Sequence, residues 1–172
     1  SDYFYILLER IHNLHRDLYI VDCVLVKRGR LRRHSSTALK RIIVKRRRYS
    51  LLLTCNVIGS PSNVIFRRDL GVKFDRNLKW NVDVEFYIRL CQACRSIFVF
   101  RDLAMASDLV NENSITASIK KSLPAIQRSE AKYMHGQIGH KRPSFIWSVF
   151  ALAFHGVERV FFSATRFREK RC

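Results

Sequence analysis

Three carboxylates, Asp75, Asp83 and Glu85, lie within eleven residues of one another among the aromatics Phe74, Trp80, Phe86 and Tyr87. A carboxylate sheltered from water by aromatic side chains is a candidate general base, able to take a proton from a hydroxyl group. Asp83 fits best. It falls within the first turn of a helix that would open at Asn81, where the helix dipole favours the ionised acid, while Trp80 and Phe86 limit water. The alternative is that Asp83 only supports the helix N-terminus. Glu85 could share the proton transfer or orient a substrate, but its spacing to Arg89 is i,i+4 in the favourable order and predicts a surface ion pair. Asp75 follows Phe74 and reads more readily as a turn former. Ser62 and Asn63 are further candidates for binding hydroxyl groups; the alternative for both is turn capping.

These residues need a scaffold. Gly59-Ser60-Pro61-Ser62 is turn chemistry, with glycine able to take positive φ and proline fixing its own. Asn63 to Arg68 is a short β-rich run and predicts a strand. Asp69-Leu70-Gly71 breaks it. Residues 81–90 are ambiguous. Val82, Val84, Phe86, Ile88 and Leu90 alternate with polar residues at strand period, yet Asn81 is a good N-cap, and a helix buried on most sides would read the same way.

The run G-S-P-S-N-V-I-F-R-R followed by G-V-K-F-D-R-N-L-K-W-N-V-D-V-E-F-Y-I-R-L resembles the C-terminal half of glycosyltransferase family 2. Those are inverting enzymes of the GT-A fold. The resemblance implies that 81–90 is a helix and that Asp83 is the catalytic base. It also implies that Arg89 buttresses the loop before it, and that Ser62, Asn63, Trp80, Glu85 and Arg89 line the substrate cleft. The implied reaction transfers a sugar from a nucleotide-sugar donor to a polysaccharide or lipid-linked acceptor. The implied cofactor is Mg²⁺ or Mn²⁺ on the leaving diphosphate. Asp2, in Ser1-Asp2-Tyr3-Phe4, resembles the tail of the family's metal motif; its other reading is a helix cap. Val110 to Thr116 is similar to a further family segment, with Asn111 where the family often has His. The nucleotide-binding half, with its D-x-D or D-D motif, is not found in this sequence. The expected fold class is therefore α/β: a partial GT-A-like mixed sheet flanked by helices over 1–122, with a helical, basic and aromatic extension over 123–172.

Composition adds a second theme. The 172 residues carry a net charge of +18 and are 48% hydrophobic, enough for one domain with a core. Lys27 to Arg48 holds eleven of the Lys and Arg residues and no acid. Such a segment suits a solvated loop, an anionic membrane surface or nucleic acid. Tyr49 is its only neighbouring aromatic, so base stacking is poorly served and nucleic acid is disfavoured. Five cysteines at irregular spacing suggest no disulfide framework and fit a reducing compartment. Cys91-x-x-Cys94 has no second pair at zinc-site spacing and reads as helix-face packing. No secretory leader is read at the start.

Elsewhere, periodicity predicts a helix over 3–14, a buried strand over 18–26 and a turn at Gly29. A short basic helix over 38–48 follows, then a strand over 96–100 and a loop over 111–119. A helix over 123–140 would expose Glu130, Lys132 and His135. Residues 144–170 combine an aromatic face with a cationic flank, as an interfacial amphipathic helix does; packing on the core or on a partner is the other reading. Two functions stand: a transferase, or its acceptor-side fragment without activity of its own, and a non-enzymatic basic module for anionic membranes or nucleic acid. The transferase would be cytoplasmic, peripheral on the inner face of the membrane.

Overall fold

The computed structural model describes residues 2–27, 30–33, 37–108 and 122–136, with 149 and 153 singly. The loop expected over 111–119 lies outside these residues. So do the turn at Gly29 and, but for Val149 and Ala153, the amphipathic stretch over 144–170. The chain forms α1 (Asp2–Leu14), β1 (Leu18–Lys27), β2 (Arg30–Arg33), α2 (Thr37–Lys45), β3 (Val64–Phe66), α3 (Val82–Ala93), β4 (Ile97–Asp108) and α4 (Leu123–Gly136). It is a mixed α/β fold, as expected.

The sheet is built around β1. Its first half pairs antiparallel with β3, Leu18 opposite Phe66 and Ile20 opposite Val64. Its second half pairs antiparallel with β2, Val24 opposite Arg33. On the other side β4 runs parallel along its whole length, from Leu18–Ile97 to Val26–Asp108, with an irregularity after Ile20. There β1 advances from Ile20 to Asp22 while β4 advances from Val99 to Ala104. The extra β4 residues form a bulge.

Alternation along β1 divides the core. Leu18 and Ile20 pack with Leu39 and Ile43 of α2, the turn residues Leu51 and Leu52, and Phe86, Tyr87 and Ile88 of α3. Tyr19 and Val21 face the other way, against Leu7 of α1 and Phe100 and Leu103 of β4. Cys91 and Cys94 belong to the first cluster, so that pair packs the core as read from the sequence.

Three elements differ from expectation. The strand read over 63–68 is only Val64–Phe66, because Pro61 starts a short 3₁₀ turn through Asn63. The strand read over 96–100 continues to Asp108, because β1 offers a parallel edge along its full length. The basic helix ends at Lys45 rather than Arg48. Arg47 takes φ 51, and Arg47 and Arg48 donate back to the carbonyls of Val44 and Ile43. That is a Schellman-type stop, here without glycine. β2, inside the basic segment, was not anticipated.

α2 is anchored from below. Lys40, fully buried, donates to Asp22 Oδ1 of β1 at 2.8 Å, and both side chains are inaccessible to solvent. The cations Arg41 and Lys45, with Arg46, Arg47 and Arg48 beyond the helix, remain exposed.

Candidate functional site

The turn over 56–63 lies against the helix that carries Asp83. Gly59 sits at φ +92, and a Cβ there would lie 2.7 Å from Asn63 Nδ2, so only glycine fits. Asn56 Oδ1 accepts the N–H groups of Ile58 and Gly59 at 3.1 and 3.0 Å. The carbonyl of Gly59 accepts from Asn56 Nδ2 and from the Tyr87 hydroxyl, at 3.1 and 3.0 Å. The last bond ties the turn to α3. Ser62 is exposed and its Oγ lies 2.7 Å from Ser60 Oγ. Asn63 does not line an open wall: it is fully buried, and its Nδ2 donates to the carbonyl of Ile58. Packing of the 3₁₀ turn against the core turns this side chain inward, which favours the capping alternative. Among the described residues, its Oδ1 is buried without a hydrogen-bond partner.

The ambiguity over 81–90 resolves as a helix, α3, buried over most of its surface, from Val84 to Cys91. Asn81 occupies the N-cap position, and its carbonyl accepts the Glu85 N–H at 2.9 Å. Its side chain does not cap the helix; Nδ2 donates instead to Glu130 Oε2 at 3.2 Å. Asp83 is half-buried in the first turn. Among the described residues, no hydrogen bond or ion pair holds its carboxylate. Burial pushes its pKa above the ordinary 3.8. The helix dipole works against that shift, but withdrawal from water prevails. Tyr87, four residues on, shares a helix face with Asp83; burial and then the Asp83 charge push its phenol upward.

Glu85 and Arg89 form the expected i,i+4 pair, but not on the surface. Glu85 is fully buried, and Arg89 Nη2 donates to its Oε2 at 2.7 Å while Nε donates to Oε1. The same Nη2 donates to the Lys73 carbonyl at 2.7 Å. Core packing around Phe86 and Ile88 draws the carboxylate inside, and a bidentate guanidinium makes that burial tolerable. Glu85 is thus committed to structure, and Arg89 buttresses the loop over 72–75.

The residue that sequence reasoning missed is Glu130. It was expected on the exposed face of its helix, and it is 5% exposed. Its Oε1 accepts the N–H groups of Lys79 and Trp80 at 2.5 and 2.9 Å, and its Oε2 accepts that of Asn81 at 2.8 Å. One turn later on α4, the Tyr133 hydroxyl donates to Asp75 Oδ2 at 2.8 Å and accepts from Asn77 Nδ2 at 3.0 Å. α4 thereby grips the whole loop leading into Asp83. Trp80 is half-buried within it. Asp75 bonds the Asn77 N–H at 2.9 Å, the turn-forming use read from the sequence. A run of three N–H groups on one acid separated by about fifty residues leaves no local pattern; only the isolated Glu on a polar helix could have hinted at it.

Asp2 is the first residue of α1. Among the described residues no group of three His, Cys, Asp or Glu side chains could hold a metal ion. The diphosphate-binding cation that the resemblance implies therefore has no ligand set among them. A groove of about 890 Å³ between α1, α2 and β4 lies apart from Asp83 and the turn over 56–63; Arg10, Arg41 and Lys45 line it together with Leu14, Ile42 and Phe98. Among the described residues no helix is long and apolar enough to cross a membrane. No protein-family model, curated protein or solved structure matches the chain.

Proposed function

We propose that the chain is the acceptor-side part of an inverting glycosyltransferase, a partial GT-A-like unit similar to family 2, with Asp83 as general base. One observation carries the reading. Asp83 is a half-buried carboxylate with raised proton affinity, held by no partner among the described residues, beside a turn and a loop that are themselves tightly bonded. A base needs that combination of availability and raised pKa. Asp83 takes the proton of an acceptor hydroxyl as its oxygen attacks the anomeric carbon. The bond from that carbon to the donor phosphate breaks on the opposite face, and the nucleoside diphosphate leaves with the electron pair. Mg²⁺ or Mn²⁺, where bound, would neutralise that leaving group. Trp80 and Phe86 keep water from competing. Glu85, Arg89 and Ser62 shape the walls rather than react.

A second reading rests on a different surface. Five exposed cations, Arg41, Lys45, Arg46, Arg47 and Arg48, stand together on α2 and the turn after it. They suit an anionic membrane, each contributing about 1 kcal/mol near the headgroups. On that reading the chain is a basic module or an inactive transferase relative; joined to the first, it places a cytoplasmic transferase peripherally on the inner leaflet. Titration with nucleotide-sugars plus Mn²⁺, and separately with duplex DNA at physiological salt, discriminates. Saturable nucleotide-sugar binding supports the transferase. Tight, steeply salt-dependent DNA binding without any nucleotide-sugar signal overturns it.

A further inference from the structure

Two phenylalanines stand exposed beside the Asp83 helix. Phe74 is 47% exposed and Phe66 36% exposed. Both rest on one buried ring: Phe74 stacks on Phe86 with centroids 4.1 Å apart and planes 27° apart, and Phe66 meets Phe86 edge-on at 5.6 Å. Phe74 therefore gives one face to Phe86 and turns its other side to solvent. Phe86 follows Asp83 by three residues, so the two are neighbours on α3.

Exposure of one aromatic is ordinary, but this one is immobilised. Arg89 holds the carbonyl of Lys73 on one side of Phe74 at 2.7 Å, and Tyr133 holds the carboxylate of Asp75 on the other at 2.8 Å. A rigid apolar surface kept in water at the rim of a candidate site is a feature of recognition surfaces. Nearby, exposed Arg67 is paired with exposed Asp69, and three further cations remain. Arg68, next to the strand that carries Phe66, and Lys73 and Arg76, on either side of Phe74, are all exposed. Asp75 is already engaged by Tyr133 and Asn77.

We infer that Phe66 and Phe74, backed by Phe86, form a platform for a pyranose ring of an acidic glycan, with Arg68, Lys73 and Arg76 taking its carboxylate or phosphate groups. The axial C–H bonds of such a ring carry partial positive charge and pack on the electron-rich aromatic face. The cations answer the acid. The inference rests on the transferase reading and narrows it: the acceptor is an acidic sugar polymer, and its ring lies flat beside the base.

The test is donor-free binding of a hyaluronan hexasaccharide, with neutral chitohexaose and a single-stranded oligonucleotide as comparisons. The wild-type protein should bind the acidic hexasaccharide in preference to the neutral one. Phe74→Ala should weaken this binding roughly tenfold, and Phe74→Trp should preserve it, with circular dichroism unchanged in both. Equal binding by Phe74→Ala and wild type overturns the platform and leaves the Asp83 reading standing, as does transfer from a nucleotide-sugar without any glycan binding at this surface. Equal affinity for the neutral hexasaccharide overturns the acidic class. Tighter binding of the oligonucleotide, lost in Phe74→Ala, overturns the glycan assignment in favour of base stacking.

Discussion

The Glu130 carboxylate accepts the backbone N–H of Asn81 at 2.8 Å, across 49 residues of sequence, and so the start of the Asp83 helix is fixed by a residue of α4. Together with the bonds to Lys79 and Trp80, this places one buried acid over three consecutive N–H donors. Glu130→Ala removes the acceptor of three part-buried donors and should cost about 1–3 kcal/mol of stability. Amide exchange read at residues 79–81 should accelerate in this variant and stay slow in Asp83→Asn. Unchanged protection in Glu130→Ala would show that the loop holds itself.

Asp83 is strained electrostatically in the ionised state. Its pKa is raised by burial, so the folded protein binds its proton more tightly than the unfolded chain does. By linkage, stability falls as pH rises from the ordinary aspartate value through the raised one, and the loss persists at neutral pH. Asp83→Asn should therefore melt no lower than wild type at pH 7, and the difference should vanish below pH 3.8. A clear loss of stability at pH 7 would assign Asp83 to holding the helix terminus instead.

Lys40 and Asp22 present the opposite case, a fully buried pair joining α2 to β1. Lys40→Met removes the cation from beside a buried carboxylate and should cost about 3–5 kcal/mol, whereas Lys40→Met with Asp22→Leu should recover much of that loss. Urea denaturation of the three proteins reads the coupling. Additive losses would show that the two side chains do not act as a pair.

Burial holds the thiols of Cys91 and Cys94 well above their usual range, pushed up to about 12 and about 11. Thiolate is the reactive form, so at pH 7.5 both should resist maleimide in the folded protein and react within minutes once unfolded. Rapid labelling of either in the folded state, followed by peptide mapping, would contradict their core placement.

Much of this fold was legible because its signals are local. The apolar run over 18–26 could only be a buried strand, and Gly59-Ser60-Pro61-Ser62 could only turn. The helix over 81–90 was legible by resemblance, not by pattern, because a helix buried on most sides loses its amphipathic stripe. The site was half legible. Asp83 is half-buried with its proton affinity raised by burial, and no partner holds it among the described residues; Arg89 does brace the preceding loop. Asn63 and Glu85 misled, since a polar residue in a turn or at i,i+4 spacing does not announce whether packing will draw it inside. Glu130 was invisible for the same reason in reverse: a lone acid on a helix reads as solvated unless its distant donors are known.

The most direct test is the rate of sugar transfer at saturating nucleotide-sugar and Mn²⁺, measured with and without Asp83→Asn on a protein in which this chain is joined to a nucleotide-binding half. The substitution should abolish transfer while leaving donor binding nearly unchanged, and the acid limb of the wild-type pH profile should lie above 3.8, because burial raises the Asp83 pKa. An unchanged transfer rate in Asp83→Asn, with only donor affinity reduced, would contradict the base assignment.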